Sequence, residues 1–432
     1  MEHHRVEIGT YDHWGERSIG LDAVDRAYHL YLIGRSGMGK TTLLKEMLRQ
    51  DIEAGAGCGI IDPHGDIAEE LLELIPPHRV RDVVYLDPTL KNYRTVINPF
   101  YRPPDDANAK ALIGYNIIST FKHLWHGAWG ETRLQYILTN IVLALLDASD
   151  ELRPTLASIS LVLVNEAYRT RVIRCIKNDA VLRFFTEELA DWDSRYLTEA
   201  IGPVQNRIGQ FLTHPSLRQT FGTWKPTIDF GDIINTGKIL IARIPKGTFG
   251  EEPTNYFGSF TMSGLQVAAM GRAEKKRDER KPFYLYVDEF QSVGSDATTQ
   301  IFSESRKFAL FLTVGHQYLD QLDDQVREAI FGNVGNYISF RVGERDAEIL
   351  ANEIDGFSAT TITGLGRGQV VAQLLRDSTP SNAILGRTNA PSSHSYGQAR
   401  KIKQQCRKRY CVRTVAVEQT VTQWLGKFRD DG

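Results

Sequence analysis

The stretch His29-Leu30-Tyr31-Leu32-Ile33-Gly34-Arg35-Ser36-Gly37-Met38-Gly39-Lys40-Thr41-Thr42 decides how the rest of the chain is read. Residues 31–33 read as a short buried strand, and residues 43–51 open a helix. Between them, Gly34 to Thr41 match G-x-x-x-x-G-K-[ST]. Strand, glycine loop and helix, in that order, are the context a phosphate-binding loop requires. Gly34, Gly37 and Gly39 allow turns that a Cβ would forbid, so successive N–H groups can point at phosphate oxygens. Arg35, Ser36, Met38 and Thr42 complete the expected cradle, and the helix N-terminus adds partial positive charge. Lys40 is expected to reach the β- and γ-phosphates, and the Thr41 hydroxyl to ligate Mg²⁺.

Working outward, the 432 residues suggest roughly three domain-sized pieces or one elaborated α/β domain. The apolar fraction of 42% and the charged fraction of 24% are those of an ordinary globular protein. A net charge of −2 excludes a globally basic nucleic-acid binder, though not a local basic channel. Cys58, Cys175, Cys406 and Cys411 form no CxxC pair, which fits a reducing compartment and no zinc site. The longest apolar run, 141–146, is too short to span a bilayer, and Met1 to Arg5 carry no apolar signal core. The expected location is cytoplasmic.

Residues 1–28 are mixed and polar, fit for a short strand or turn leading into the core. Residues 58–62 and 80–86 read as further strands, with Asp62-Pro63-His64-Gly65-Asp66 as a turn in which Asp66 caps the next helix. Strands alternating with helices predict a mainly parallel sheet covered on both faces, with ligands at the strands' carboxyl ends.

From 106 to 221 the period becomes helical: Leu134, Ile137, Leu138, Ile141, Val142 and Leu145 share one helix face. This predicts an all-helical insertion, 105–225, splitting an α/β core into 1–104 and 226–376. Trp125, Trp129, Phe184, Phe185 and Trp192 read as its core rather than as a base-stacking platform.

The α/β pattern resumes with a strand at 238–244 and a helix at 256–272, whose end carries mixed charges typical of a solvated surface. Phe283-Tyr284-Leu285-Tyr286-Val287-Asp288-Glu289 is the second decisive motif, an apolar strand running into two carboxylates. Asp288 is expected to hold the Mg²⁺ shell and Glu289 to polarise the attacking water. A helix is expected at 296–308, then strands at 309–314, 338–342 and 369–375. Gln317 ends the first of these, placed to sense a γ-phosphate through a water or to relay nucleotide state. Residues 377–432 read as a polar and then basic tail, either solvated or an arm for nucleic acid or a partner.

Taken in order, Gly34 to Thr41, Asp62-Pro63-His64-Gly65, Asn98-Pro99, the helical insertion, Asp288-Glu289, Arg306 and Gln317 resemble the motifs of HerA/FtsK-type motor ATPases. Within that superfamily the order is most similar to the soluble part of TraG/TraD-type conjugative coupling proteins of type IV secretion. The resemblance spans about residues 20–376 and implies a RecA-like P-loop NTPase core using ATP and Mg²⁺. It implies a homo-oligomer, a hexameric ring with ATP between neighbours and DNA in the central pore. It also implies that Arg306 is the arginine finger offered to the next subunit and that Gln317 is the sensor. Arg341 is a second basic candidate at the subunit boundary, or a strand-end arginine with a local carboxylate partner.

Two departures stand out. Residues 1–33 leave no room for the transmembrane helices of coupling proteins or for the β-barrel of HerA-type motors, so a soluble or truncated form without a membrane span is expected. His64 stands where relatives often have lysine. The leading expectation is an ATP-driven DNA translocase, with a membrane-complex or secretion-system partner in view. The alternatives are a protein-export or pilus-assembly ATPase and a nucleotide-switched assembly module that moves no DNA.

Overall fold

The computed structural model describes residues 4–12, 15–101, 107–125, 132–293 and 301–427. Its framework is an eleven-stranded sheet. In chain order the strands are β1 (Arg5–Asp12), β2 (Glu16–Asp22), β3 (Leu30–Ile33), β4 (Gly57–Asp62), β5 (Val83–Leu86) and β6 (Ile239–Arg243). They continue as β7 (Phe283–Val287), β8 (Leu310–His316), β9 (Asn336–Ser339), β10 (Gln369–Gln373) and β11 (Ile384–Thr388). Across the sheet the order is β2-β1-β11-β10-β9-β3-β8-β7-β4-β6-β5.

From β9 through β3, β8, β7, β4 and β6 to β5, every pairing is parallel. Beyond β9 the sheet runs antiparallel through β10, β11, β1 and β2. Strands β3, β4, β7 and β8 are buried at every position, as a parallel sheet covered on both faces demands. This places the carboxyl ends of β9, β3, β8, β7 and β4 side by side along one edge.

Several local expectations change. The N-terminal segment forms a full hairpin, β1 and β2, rather than one strand or turn. The sheet does not stop with the strand near 369–375, because β11 pairs with both β10 and β1. Of the expected helix at 296–308, residues 296–300 lie outside the described residues, 301–304 are helical, and Ser305–Phe308 form a 3₁₀ turn.

The helix α1 (Lys40–Glu53) follows β3, and α2 (Asp66–Glu73) follows β4. Asp66 does not cap α2. Gly65 takes the N-cap with φ +89°, and Asp62 satisfies the free amides: Oδ1 accepts from the His64 and Gly65 N–H groups (3.0 and 2.8 Å), and Oδ2 from that of Ala68 (2.9 Å). A carboxylate at the end of β4 reaches these donors, whereas Asp66, already inside the first turn, cannot fold back onto them.

The chain separates into two compact units. The first, residues 1–86, 230–247 and 268–406, contains the sheet. The second comprises 87–229, 248–267 and 407–432. It is built largely of helices, including Ala107–Leu124, Thr132–Asp147, Leu156–Val164 and Ser194–Thr213. Contiguous periodicity pointed to 105–225 alone; the compact unit also draws in 248–267 and 407–432.

Within the second unit, Trp125, Phe184 and Phe185 are buried, and Trp125 Nε1 donates to the Tyr256 hydroxyl at 2.6 Å. Trp192 is half-buried against Phe184, while Trp129 lies outside the described residues. The expected tail is folded. Helix Ala399–Tyr410 buries Ile402 and Cys406, and helix Thr414–Gly426 packs Val417 and Val421 on Val96. Apolar residues at four-residue spacing within the basic run carried that signal.

Candidate active site

The phosphate loop follows from its packing. A Cβ on Gly34 would stand 2.5 Å from the Phe340 Cβ, so only glycine lets the loop leave β3 over that ring. Gly39, with φ +122°, turns the chain into α1 at a conformation closed to L side chains. Both neighbouring strands hold the loop: the Gly34 N–H donates to the His316 carbonyl (3.4 Å) and the Arg35 N–H to the Arg341 carbonyl (2.8 Å).

Lys40 is buried and folded back, its Nζ bonded to the Gly34 carbonyl and 3.4 Å from the Arg35 carbonyl. Burial lowers its pKa, and Asp288 and Glu289 work against that shift. The Thr41 hydroxyl donates to Asp288 Oδ2 at 3.3 Å, joining the end of β7 to the start of α1. Two hard oxygen donors beside a phosphate loop fit Mg²⁺, which takes one or two protein oxygens and completes its shell with water and phosphate. Thr41 and Asp288 would hold it. Burial pushes the Asp288 carboxyl up to about 6, and the nearby charges of Glu289 and Asp62 add to the rise.

Glu289 is the most constrained residue of the site. Its φ is +50°, in the left-handed region. Gln317 Nε2 donates to Oε1 at 2.7 Å, Gln291 Nε2 donates to Oε2 at 2.5 Å, and His64 Nε2 lies 3.7 Å from Oε1. Burial would raise this carboxyl, but the nearby His64 ring and hydrogen bonds from Gln317 and Gln291 hold it down at about 2. Glu289 therefore stays ionised, fit to accept a proton or a water hydrogen bond. Glu289 in turn raises the pKa of His64. Gln317 touches Glu289 directly.

A cleft of ≈ 240 Å³ reaches from Ser36 to Thr42 and takes in His64, Glu289 and Gln317. The cleft has one further member, Arg367, which sequence reasoning missed. Gly366-Arg367-Gly368 ahead of a strand was the available signal. Gln291 and the capping role of Asp62 were missed as well.

Arg306 is not in the cleft. It lies in the turn before β8, at the amino edge of the parallel sheet, with its guanidinium 3.5 Å from the Tyr28 ring centroid. The phosphate loop occupies the opposite edge, so Arg306 cannot serve the site of its own chain. Arg341 is half-buried at the site edge, and its Nε has no hydrogen-bond partner among the described residues.

With this geometry in view, the comparisons with solved structures are direct. The bacterial conjugative coupling protein TrwB, unbound, superposes with a TM-score of 0.61 at 14% identity, covering 88% of this chain and 89% of that one. TrwB in complex with ADP and Mg²⁺ gives 0.61 at 15%, covering 87% and 89%, and with a non-hydrolysable ATP analogue 0.62 at 14%, covering 86% and 87%. VirB4 of Thermoanaerobacter pseudethanolicus gives 0.57 at 14%, covering 89% and 96%. The fold is that of TrwB and VirB4. In this TrwB-like P-loop NTPase fold the motif strands lie together in the parallel half of the sheet. No protein-family model and no curated protein matches the sequence itself. Among the described residues, no helix is long and apolar enough to cross a membrane.

Proposed function

We propose that this chain is an ATP-hydrolysing motor of the conjugation and type IV secretion class, assembling as a hexameric ring that moves DNA through its pore. The observation that carries the reading is the joint of β3, β7 and β8. Lys40, Thr41, Glu289 and Gln317 come from distant parts of the sequence and line one cleft, and Asp288 accepts from the Thr41 hydroxyl. That is the set a Mg²⁺-dependent phosphoryl transfer to water requires: a phosphate cradle, a metal-shell carboxylate and an ionised, oriented base. The TrwB likeness supports ATP and Mg²⁺ as the bound groups.

In this reading Mg²⁺ would supply charge neutralisation at the phosphates. Lys40 leaves its carbonyl contacts to pair with the phosphates. Glu289, held by Gln317, orients the attacking water, and its release or retention by Gln317 reports nucleotide state. Arg306 is offered to the neighbouring copy, an effect worth about 10³ to 10⁵ in rate. The translocation path needs backbone charge contacts alone, so DNA binding should be salt-sensitive and sequence-tolerant.

ATPase rate with and without DNA, coupled to mass measurement, tests this. The expectation is DNA-stimulated hydrolysis by a species several times the mass of one chain, abolished in Lys40→Ala. A nucleotide-dependent ring with a DNA-indifferent rate would favour a protein-export motor, the reading to which the VirB4 likeness lends weight. Failure of the wild-type chain to hydrolyse ATP would remove the motor reading altogether.

A further inference from the structure

Arg367 occupies a place that the topology creates. Strand β10 runs antiparallel to β9, so its amino end lies at the same edge as the carboxyl ends of the parallel strands. The loop feeding β10 therefore arrives beside the phosphate loop, on the flank of β3 away from β8 and β7. Glu289 and Gln317 approach from β7 and β8, and Arg367 approaches from the other side.

The loop backbone is pinned at both ends. The Gly368 N–H donates to the Met38 carbonyl within the phosphate loop at 3.0 Å, and the Thr388 N–H of β11 donates to the Gly368 carbonyl at 2.9 Å. Gly368 has φ +74°, and a Cβ on Gly39 would sit 3.8 Å from its Cα, so the two glycine backbones run close together. The Gly366 N–H is held by the Gln369 side chain at 2.6 Å. The side chain between these anchors is exposed and lines the cleft, and among the described residues its guanidinium has no ion-pair or hydrogen-bond partner. A planar cation with five donors, on a fixed backbone and without a partner, suits bidentate contact with a phosphate group.

We propose that Arg367 is a same-chain phosphate contact of this cleft, engaging the terminal phosphate of a bound nucleoside triphosphate from the side opposite Glu289. The assignment rests on the nucleotide reading above and adds to it a residue that separates triphosphate from diphosphate. Lys40 grips the phosphates from within the loop, and Arg367 adds its contact when the terminal group is present.

The test measures equilibrium binding of a fluorescent non-hydrolysable ATP analogue and of fluorescent ADP to the full chain. Arg367→Gln is expected to weaken triphosphate binding about tenfold or more, the loss of a charge-assisted hydrogen bond, and ADP binding by less than about threefold. Arg367→Lys, which keeps the charge without the fork, should recover part of the loss. Lys40→Ala should weaken both ligands. Because the Arg367 side chain is exposed, its thermal melting curve should match the wild type. Arg367→Gln binding both ligands as the wild type does, while Lys40→Ala fails, would overturn the assignment and leave the nucleotide reading standing. Equal weakening of both ligands would also overturn it. A wild-type chain that binds neither nucleotide would remove the nucleotide reading and the assignment together. In hydrolysis assays on mixtures of Arg367→Gln and Lys40→Ala chains at limiting ATP, activity should not exceed that of the Arg367→Gln chains alone, because each defect lies in its own chain's site. Restored activity would place Arg367 in a neighbour's site and refute the same-chain assignment.

Discussion

At the scale of single residues, the site is an exercise in opposed environments. Asp288 and Glu289 are sequence neighbours, yet burial lifts one carboxyl to about 6 while the His64 ring and donors from Gln317 and Gln291 hold the other near 2. Two buried histidines are expected to make stability fall in acid. Burial pushes His29 down to about 4 and His316 to about 3. Both stay neutral in the fold, whereas the unfolded chain takes up protons below about 6.5. The unfolded state therefore binds more protons across that window. Stability should be complete above about pH 6.5 and fall toward pH 4, by on the order of a few kcal/mol per group. Asp288, raised rather than lowered, works with the opposite sign and offsets part of this loss. His29 accepts from the Leu312 N–H through Nδ1 (3.0 Å) and has φ +62°. Asparagine tolerates that φ and keeps an acceptor. In His29→Asn, urea midpoints at pH 7.5 and 5 should lie closer together than in the wild type. An unchanged gap would show that His29 does not carry the acid loss.

At the scale of elements, the antiparallel edge is joined by close backbone contact. A Cβ on Gly9 of β1 would stand 2.0 Å from the Arg387 carbonyl oxygen of β11. Gly9→Ala must separate the two strands and should cost about 3 kcal/mol in chemical denaturation. Gly209, within helix Ser194–Thr213, meets nothing within 4 Å, and Gly209→Ala should instead gain up to about 1 kcal/mol. Equal effects at the two sites would show that strand approach is not the constraint at Gly9. The elements carrying the motifs were legible because each is a local pattern. Residues 283–287 are an unbroken apolar run, and 34–41 are a loop whose glycines serve the backbone directly. The element ends were less legible. Asp66 was taken for the cap of α2, because a short-range rule cannot show that Asp62 at the end of β4 reaches forward to three amides.

At the scale of the whole molecule, the placement of Arg306 has a consequence for assembly. Its edge of the sheet is opposite the phosphate loop, so the proposed finger can act only if the ring brings the amino edge of one sheet to the carboxyl edge of the next. Arg306→Ala should bind ATP as the wild type does and hydrolyse it at least about 10³-fold more slowly. Mixed with Lys40→Ala, it should regain part of the activity, since some interfaces then combine an intact loop with an intact arginine. Normal turnover by Arg306→Ala alone would leave the Tyr28 stack as the residue's role. Mixed rings with no recovery would count against sites shared between chains.

The sequence by itself determined the phosphate loop, the carboxylate pair and the change of period that marks the helical segment. All of these are encoded in neighbouring residues, through glycine conformations and apolar spacing. Tertiary structure alone decided that Gln317 grips Glu289, that Asp62 caps α2 and that Arg306 faces away from its own cleft. It alone placed Gly368, and with it the loop carrying Arg367, beside Met38. The physical reason is that strand order and direction are set by pairing between distant segments. A single reversal, β10 against β9, carries a residue more than three hundred positions along the chain to the mouth of the loop.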